Sequence, residues 1–179
     1  MGLLSGFRKN KIAKILKSII EENKKVLDLG CADGTILRAL NVEGTGIDIN
    51  PDTFPLDDNK NKYIQHDFTE TLPFESDTFD YCIMSQVIEH FSPLIIKNTL
   101  KECFRVLKPN GKIVILTPTP SSDFIIRLLA YLKFVGKFEH TIYFTLNGLE
   151  KLCTDIGFRT KDKRYYNLWL DIIYVGEKM

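Results

Sequence analysis

The sequence predicts an α/β protein built on one doubly wound sheet, mostly parallel, with an antiparallel strand near its C-terminus and helices on both faces. Short apolar runs of strand length alternate with helical patterns between Lys25 and Thr117, the arrangement that joins parallel strands by right-handed crossovers. Lys25 to Leu29 stays apolar on either side of Asp28, as a strand covered on both faces must. The last two strand-like runs are joined by too short a link for a crossover, so they run antiparallel.

Leu4, Phe7, Ile12, Ile15, Leu16, Ile19 and Ile20 recur at helical intervals with lysines between them. Leu4 to Ile20 is therefore an amphipathic helix, suited to packing on the domain, covering a ligand cleft or resting on an anionic membrane. The strand Lys25 to Leu29 leads into a short helix, Thr35 to Leu40, and further strands are expected at Thr45 to Asp48, Tyr63 to His66 and Phe79 to Met84. Pro93 to Val106 has helical spacing and is closed by a Lys108-Pro109-Asn110-Gly111 turn. Lys112 to Thr117 is the fifth strand. Phe124 to Val135 is apolar on most sides, Leu146 to Ile156 is a helix stopped by Gly157, and strands at Arg159 to Tyr165 and Trp169 to Val175 flank a turn at Asn167. With no repeat or boundary, residues 1–179 read as one domain: an N-terminal helix (1–22), a core (24–118), a segment after the fifth strand (121–145), and a helix with a strand pair (146–179).

The composition bounds the function. A chain of 179 residues buries roughly 68–70% of its unfolded surface and needs neither disulfide nor structural metal to hold a core. Lys and Arg number 24 against 23 Asp and Glu, so no overall basic excess marks a nucleic-acid binder. Cys31, Cys82, Cys103 and Cys153 are too scattered for a metal knuckle and read as reduced, apolar thiols, which places the chain in the cytoplasm and predicts no metal. No stretch reaches the roughly 18–20 apolar residues of a membrane span. The N-terminus matches neither a signal peptide, since its basic residues are interspersed, nor a myristoylation pattern, since Gly6 occupies the Ser/Thr position.

The chemistry concentrates where strands end. Val26-Leu27-Asp28-Leu29-Gly30-Cys31-Ala32-Asp33-Gly34 runs from the first strand into a glycine-bearing turn, the place where open parallel sheets bind ligands. Gly30 and Gly34 would let a ligand approach the backbone. Their Gly-x-x-x-Gly spacing lacks the Gly-x-Gly-x-x-Gly of a pyrophosphate cradle. Asp28, Asp48 and Asp67 follow successive strands at intervals of 20 and 19 residues and should share one rim. A carboxylate there accepts two hydrogen bonds side by side, suiting a ribose diol at Asp48 and an exocyclic amine at Asp67.

These motifs, from about Lys24 to Pro118, resemble the class I S-adenosylmethionine-dependent methyltransferases, particularly their small-molecule branch. Val26 to Gly34 is similar to the family's glycine-rich first motif, Gly46-Ile47-Asp48-Ile49-Asn50 to its acidic second-strand end, and His66-Asp67-Phe68 to its adenine-binding turn. Phe79 to Phe91 resembles the fourth-strand motif and Leu107 to Lys112 the turn before the fifth strand. Ala32 departs from the pattern, which often has Gly there. The resemblance implies a Rossmann-like sheet that binds S-adenosylmethionine and releases S-adenosylhomocysteine. It implies that Asp28, Gly30, Cys31 and Gly34 lie along the methionine part, that Asp48 takes the ribose hydroxyls, and that Ile49 packs on the adenine. Asp67 would accept from the adenine amine and the Phe68 amide would donate to the ring, while Ser85 and Gln86 would line the methionine end.

Methyl transfer from a sulfonium is an in-line displacement in which positioning is the main catalytic effect. A hydroxyl or protonated-amine acceptor would also need a base. His90, just past the fourth strand, is the first candidate, and His140, flanked by Glu139 and Tyr143, is the second. The apolar residues between Phe124 and Phe138 lie where the family builds a substrate cover, and they suggest a lipophilic or aromatic small-molecule acceptor. Two other functions use the same features: a non-catalytic S-adenosylmethionine-binding partner, and an NAD-dependent oxidoreductase, which the glycine spacing disfavours.

Overall fold

A computed structural model describes residues 3–122, 142–166 and 168–179, with side chains from Lys9 onward. The elements are α1 (Leu3–Ile19), β1 (Lys25–Leu29), α2 (Thr35–Ala39), β2 (Glu43–Asp48), β3 (Lys62–Gln65), β4 (Phe79–Ser85), α3 (Pro93–Val106), β5 (Leu107–Pro118), α4 (Leu146–Thr154), β6 (Phe158–Tyr166) and β7 (Asp171–Lys178). The seven strands form one sheet in the order β3-β2-β1-β4-β5-β7-β6. Strands β1 to β5 pair in parallel, whereas β7 runs antiparallel to both β5 and β6. The expected mostly parallel, doubly wound sheet is thus observed. Parallel order reverses between β1 and β4, so the carboxyl ends of β1, β2 and β4 border the crevice where such sheets bind ligands.

Strand side chains alternate between two cores. On one face Leu27, Leu29, Cys82, Met84, Ile113, Ile115 and Tyr174 pack with Ile96, Leu100 and Cys103 of α3 and with Leu149 and Cys153 of α4. On the other, Val26, Tyr81, Ile83, Val114, Leu116, Ile173 and Val175 meet Ile12 and Leu16 of α1 and Leu37 of α2. Period-two strands, each covered twice, account for the nearly continuous apolar runs in the sequence. The apolar side of α1 is consequently used against the sheet. Helix α3 starts where Ser92 accepts from the Ile95 amide and Pro93 follows as first residue, and its buried Ile96, Thr99, Leu100, Cys103 and Val106 repeat at helical spacing. Helix α4 is capped by Thr145, which accepts from the Gly148 amide at 3.1 Å. All four cysteines are buried and free, in keeping with the apolar role expected of them.

Three local expectations are corrected. Strand β2 starts at Glu43, two residues early. Lys108 to Gly111 do not close α3 from outside the sheet: they lie within β5, whose pairing with β4 shifts register between Phe79 and Tyr81. Trp169, expected in the last strand, sits in the turn before β7, with Leu168 and Trp169 at φ 55° and 72°. The apolar stretch 124–135 and the turn residue Asn167 lie outside the described residues.

The β5 irregularity has a steric origin. Asn110 takes a left-handed φ of 63°, and a Cβ on Gly111 would stand 2.8 Å from the Lys108 carbonyl oxygen and 3.2 Å from that of Asp80. Backbone oxygens cannot swing aside. Gly111→Ala should therefore lower unfolding free energy in urea by about 1–3 kcal/mol, whereas Asn110→Gly, entering a conformation glycine adopts freely, should change it by less than about 0.5 kcal/mol. Equal effects of the two substitutions would show that the bulge is not sterically fixed.

Candidate active site at the carboxyl rim of the sheet

Beyond β1 the chain makes a compact loop through three left-handed residues: Gly30 at φ 75°, Ala32 at 46° and Gly34 at 65°. The amides of Gly30 and Cys31 both donate to the Ile47 carbonyl, at 2.8 and 3.1 Å, and the Ala32 amide donates to Asp48 Oδ2 at 2.9 Å. The loop is thereby stitched to the end of β2. A Cβ at Gly30 would meet Val87 Cγ2 at 2.6 Å, and one at Gly34 would run into the Tyr63 ring at 2.7 Å. Both glycines thus have a reason in the protein's own packing, in addition to the backbone access read from the sequence. Ala32 occupies a conformation that glycine reaches at lower cost, which accounts physically for the glycine common at this place in the resembled pattern. Asp33 fastens the loop to α1: its Oδ2 accepts from Lys9 Nζ at 2.7 Å and its Oδ1 from the Thr35 hydroxyl at 2.7 Å.

The three aspartates expected on one rim have different environments. Asp28 is 1% exposed, and its Oδ2 has no hydrogen-bond partner within the protein. Burial, then the nearby Asp48 charge, push its carboxyl up to about 8. Asp48 uses both oxygens on backbone, Oδ2 on Ala32 and Oδ1 on the Asn50 amide at 3.0 Å, which orients the carboxylate and leaves one lone pair on each oxygen. At Asp67 the Thr69 hydroxyl and amide both donate to Oδ1, at 2.7 and 2.9 Å, holding the carboxyl below its usual range and leaving Oδ2 for another donor. The loop after β3 is itself pinned to α3: Arg105 donates to the Leu72 and Phe74 carbonyls and pairs with Glu102, which accepts from the Leu72 amide at 2.9 Å. Phe68 is buried edge-on against Phe91, 5.2 Å between centroids. Ile49, by contrast, is 64% exposed beside Asp48, an apolar surface at the rim.

At the end of β4, Ser85 Oγ is buried without a protein partner and Gln86 takes a left-handed φ of 59° while its amide donates to the Leu116 carbonyl. His66 Nε2, at the end of β3, is also buried and unpartnered within the protein. Sequence reasoning placed His66 in a motif but assigned it no role. It also missed Glu89, 3% exposed in the short 3-10 turn Ile88–His90, whose Oε2 accepts from the Thr117 hydroxyl at 3.1 Å. An acid between Ile88 and His90, directly after a buried strand, was the available signal. His90 is exposed at this rim. His140 lies outside the described residues, as does most of the expected cover (123–141). Burial pushes the Cys31 thiol up, so it stays neutral. Among the described residues no group of three His, Cys, Asp or Glu is placed to hold a metal ion, and no helix is long and apolar enough to cross a membrane.

The unfolded chain ionises Asp28 near 4 and the folded protein near 8. Between these values the folded state holds the extra proton, so this group's contribution to stability falls as pH rises from about 4 to about 8. Asp28→Asn removes that dependence. Its stability relative to wild type should rise across this window by an amount on the order of a few kcal/mol, read from melting curves at pH 4 and pH 8. A difference independent of pH would show that Asp28 ionises normally.

Comparison with known proteins identifies the family and the fold. A family model described as a methyltransferase domain matches residues 4–162. A demethylmenaquinone methyltransferase of Geobacillus is 30% identical over 128 residues, covering 64% of this chain and 54% of the relative. The chain spans 42 to 59% of the length of the curated relatives it matches. Among solved structures, a Pyrococcus horikoshii protein superposes with a TM-score of 0.80 at 25% identity, covering 99% of this chain and 92% of that one. A Methanosarcina mazei protein titled as a SAM-dependent methyltransferase superposes at 0.75 with 22% identity, covering 92% and 97%. The chain belongs to the methyltransferase-domain family and has the class I S-adenosylmethionine-dependent methyltransferase fold.

Proposed function

We propose that the protein transfers the methyl group of S-adenosylmethionine to a lipophilic or aromatic small molecule, releasing S-adenosylhomocysteine. The observation that carries this reading is that Asp28 Oδ2, His66 Nε2 and Ser85 Oγ, buried and unpartnered within the protein, all lie at the carboxyl ends of β1, β3 and β4. Buried polar atoms are ordinarily satisfied, so three on one rim favour a polar ligand that bonds to them. Residues 24–118 would form the cofactor core of a single cytoplasmic domain, with 121–145 as its cover. The pre-oriented Asp48 carboxylate would accept from the ribose diol, and Ile49 would offer the adenine its exposed side chain. Asp67, its Oδ1 saturated by Thr69, would accept the adenine amine at Oδ2 while the Phe68 amide donates to the ring. Asp28, Gly30, Cys31, Gly34, Ser85 and Gln86 would flank the methionine part.

The cofactor supplies a methyl group on a sulfonium, an already activated carbon. What remains for the chain is to hold the acceptor in line and exclude water, and such positioning lowers barriers by roughly 7–11 kcal/mol. Where the acceptor is a hydroxyl or protonated amine, His90 takes its proton, with His140 as the second candidate base. The names of the relatives, which specify demethylmenaquinone, support a lipophilic aromatic acceptor.

Calorimetry tests the cofactor. S-adenosylmethionine and S-adenosylhomocysteine should bind and NAD should not, and Asp48→Ala should weaken binding by about tenfold to a hundredfold, the value of a charged, bidentate hydrogen bond. Binding of NAD alone would overturn the assignment. In a methyl-release assay on phenols and quinols, His90→Ala should lower turnover while leaving cofactor affinity at the wild-type value. Unchanged turnover would remove His90 from the mechanism.

A further inference from the structure

The three rim aspartates differ in what the protein gives them. Asp48 accepts from the Ala32 and Asn50 amides, and Asp67 from the Thr69 amide and hydroxyl. Asp28 is 1% exposed, and its Oδ2 accepts from no protein group. Its place in the sheet explains the burial. In register Asp28 lies between Gly46 of β2 and Ile83 of β4, and Ile83 belongs to the core that α1 and α2 cover, so Asp28 stands on that covered face. Desolvation without a donor or a cation strongly disfavours a carboxylate and leaves the neutral acid favoured.

The surrounding elements do not offset this. Asp48, at the end of β2, adds a second negative charge that disfavours ionisation further. From the loop after β1 come Asp33 and Cys31, whose Sγ fills the space where a Gly46 Cβ would stand and whose thiol stays neutral. From α1 comes Lys9, and its ammonium is paired with Asp33 at 2.7 Å. Helix α2 turns Leu37 to this face and its exposed Arg38 outward to Asp57. Strand β4 brings Ile83 and the Ser85 hydroxyl, which is itself unpartnered. Asp28 is therefore a neutral acid whose proton a cationic ligand group can displace.

The sheet order β3-β2-β1-β4 sets Asp67, Asp48, Asp28 and Ser85 in a row along the rim. With adenine at Asp67 and ribose at Asp48, the methionine part reaches Asp28 and brings an ammonium group. We infer that this ammonium displaces the proton of Asp28, so that each cofactor bound forms an ammonium–carboxylate pair and releases one proton to solvent. Charge and atoms balance: Asp28 passes from acid to carboxylate, the ammonium keeps its three hydrogens, and the buffer takes the proton. Because Asp28 ionises near 8 in the folded protein, release is close to complete at neutral pH and below, and cofactor affinity rises with pH until about 8. The inference rests on the proposed cofactor, and on neither the acceptor nor the methyl-transfer step.

Calorimetry in buffers of different ionisation enthalpy counts the protons. At about pH 6.5 the wild-type protein should release about one proton per S-adenosylhomocysteine bound, and its affinity should rise about tenfold from pH 6 to pH 7 before levelling near pH 8. 5′-Methylthioadenosine has the same adenine and ribose but no amino-acid part, so it should bind without proton release. That comparison also separates Asp28 from His66, which lies at the adenosine end. Asp28→Asn should bind S-adenosylhomocysteine with no proton released and no dependence on pH over this range. In infrared difference spectra of the wild-type protein, S-adenosylhomocysteine should remove a protonated-carboxyl band and 5′-methylthioadenosine should not, a reading that does not depend on the variant folding. No release by the wild type, equal release with 5′-methylthioadenosine, release retained in Asp28→Asn, or no carboxyl band lost would each overturn the inference. Failure of every one of these ligands to bind would overturn the cofactor reading, and the inference with it.

Discussion

The hydrogen bond from the Ala32 amide to the Asp48 carboxylate joins the loop after β1 to the end of β2, and the geometry of the rim depends on it. Together with the Gly30 and Cys31 amides on the Ile47 carbonyl, it forces the chain through three left-handed residues before α2 can begin. That path fixes the Asp48 carboxylate in orientation, with acceptor capacity still open. It also positions Asp33 to receive Lys9, so that α1 is tied to the rim as well as to the sheet. One backbone-to-carboxylate contact thereby couples loop, strand end and N-terminal helix.

The rim divides labour among similar residues by environment. Asp67 is kept anionic by two Thr69 donors, while Asp28, desolvated beside Asp48, holds its proton near neutral pH. A cationic or proton-donating ligand group would favour the ionised form of Asp28, so ligand binding and its ionisation are linked. Glu89, like Asp28, is a buried acid on this side, hydrogen-bonded to Thr117 of β5 next to the exposed His90. Its bond to Thr117 links the segment after β4 to β5, the two strands beyond which an acceptor would lie. Left-handed Gln86, in the same segment, is the kind of sparsely populated conformation that accumulates at binding sites.

The fold class was legible because its signals are redundant. Each central strand is a doubly covered apolar run, α1, α3 and α4 have apolar stripes, α3 and α4 have side-chain caps, and the tight C-terminal link permits only antiparallel pairing. The rim aspartates were legible for a related reason: strand-helix units of similar length put them about 20 residues apart. What escaped depends on tertiary contact. Lys108 to Gly111 carry every residue of a turn, and only the pairing of the flanking Leu107 and Lys112 with Phe79 and Tyr81 draws them into β5. Leu168 and Trp169 have strand-like chemistry, and nothing in their identity signals a positive φ. Glu89 reads as a solvated acid until its neighbours Ile88 and Val87 are known to be buried with it. The burial of His66 Nε2 without a protein partner depends on groups from other parts of the chain, which no local pattern specifies.

Charge shows most plainly why arrangement outweighs composition here. A net charge of +1 argues against a uniformly basic surface, yet α1 holds five basic residues and no acid, so the remainder of the chain carries four more acids than bases. Charges separated by more than about a Debye length, roughly 8–10 Å at physiological salt, no longer neutralise one another. An approaching polyanion therefore meets α1 as a locally cationic surface. Lys9 is paired with Asp33 at 2.7 Å, so it is partly neutralised. The apolar side of α1 is occupied by the sheet, so its charge faces outward and its hydrophobic residues inward.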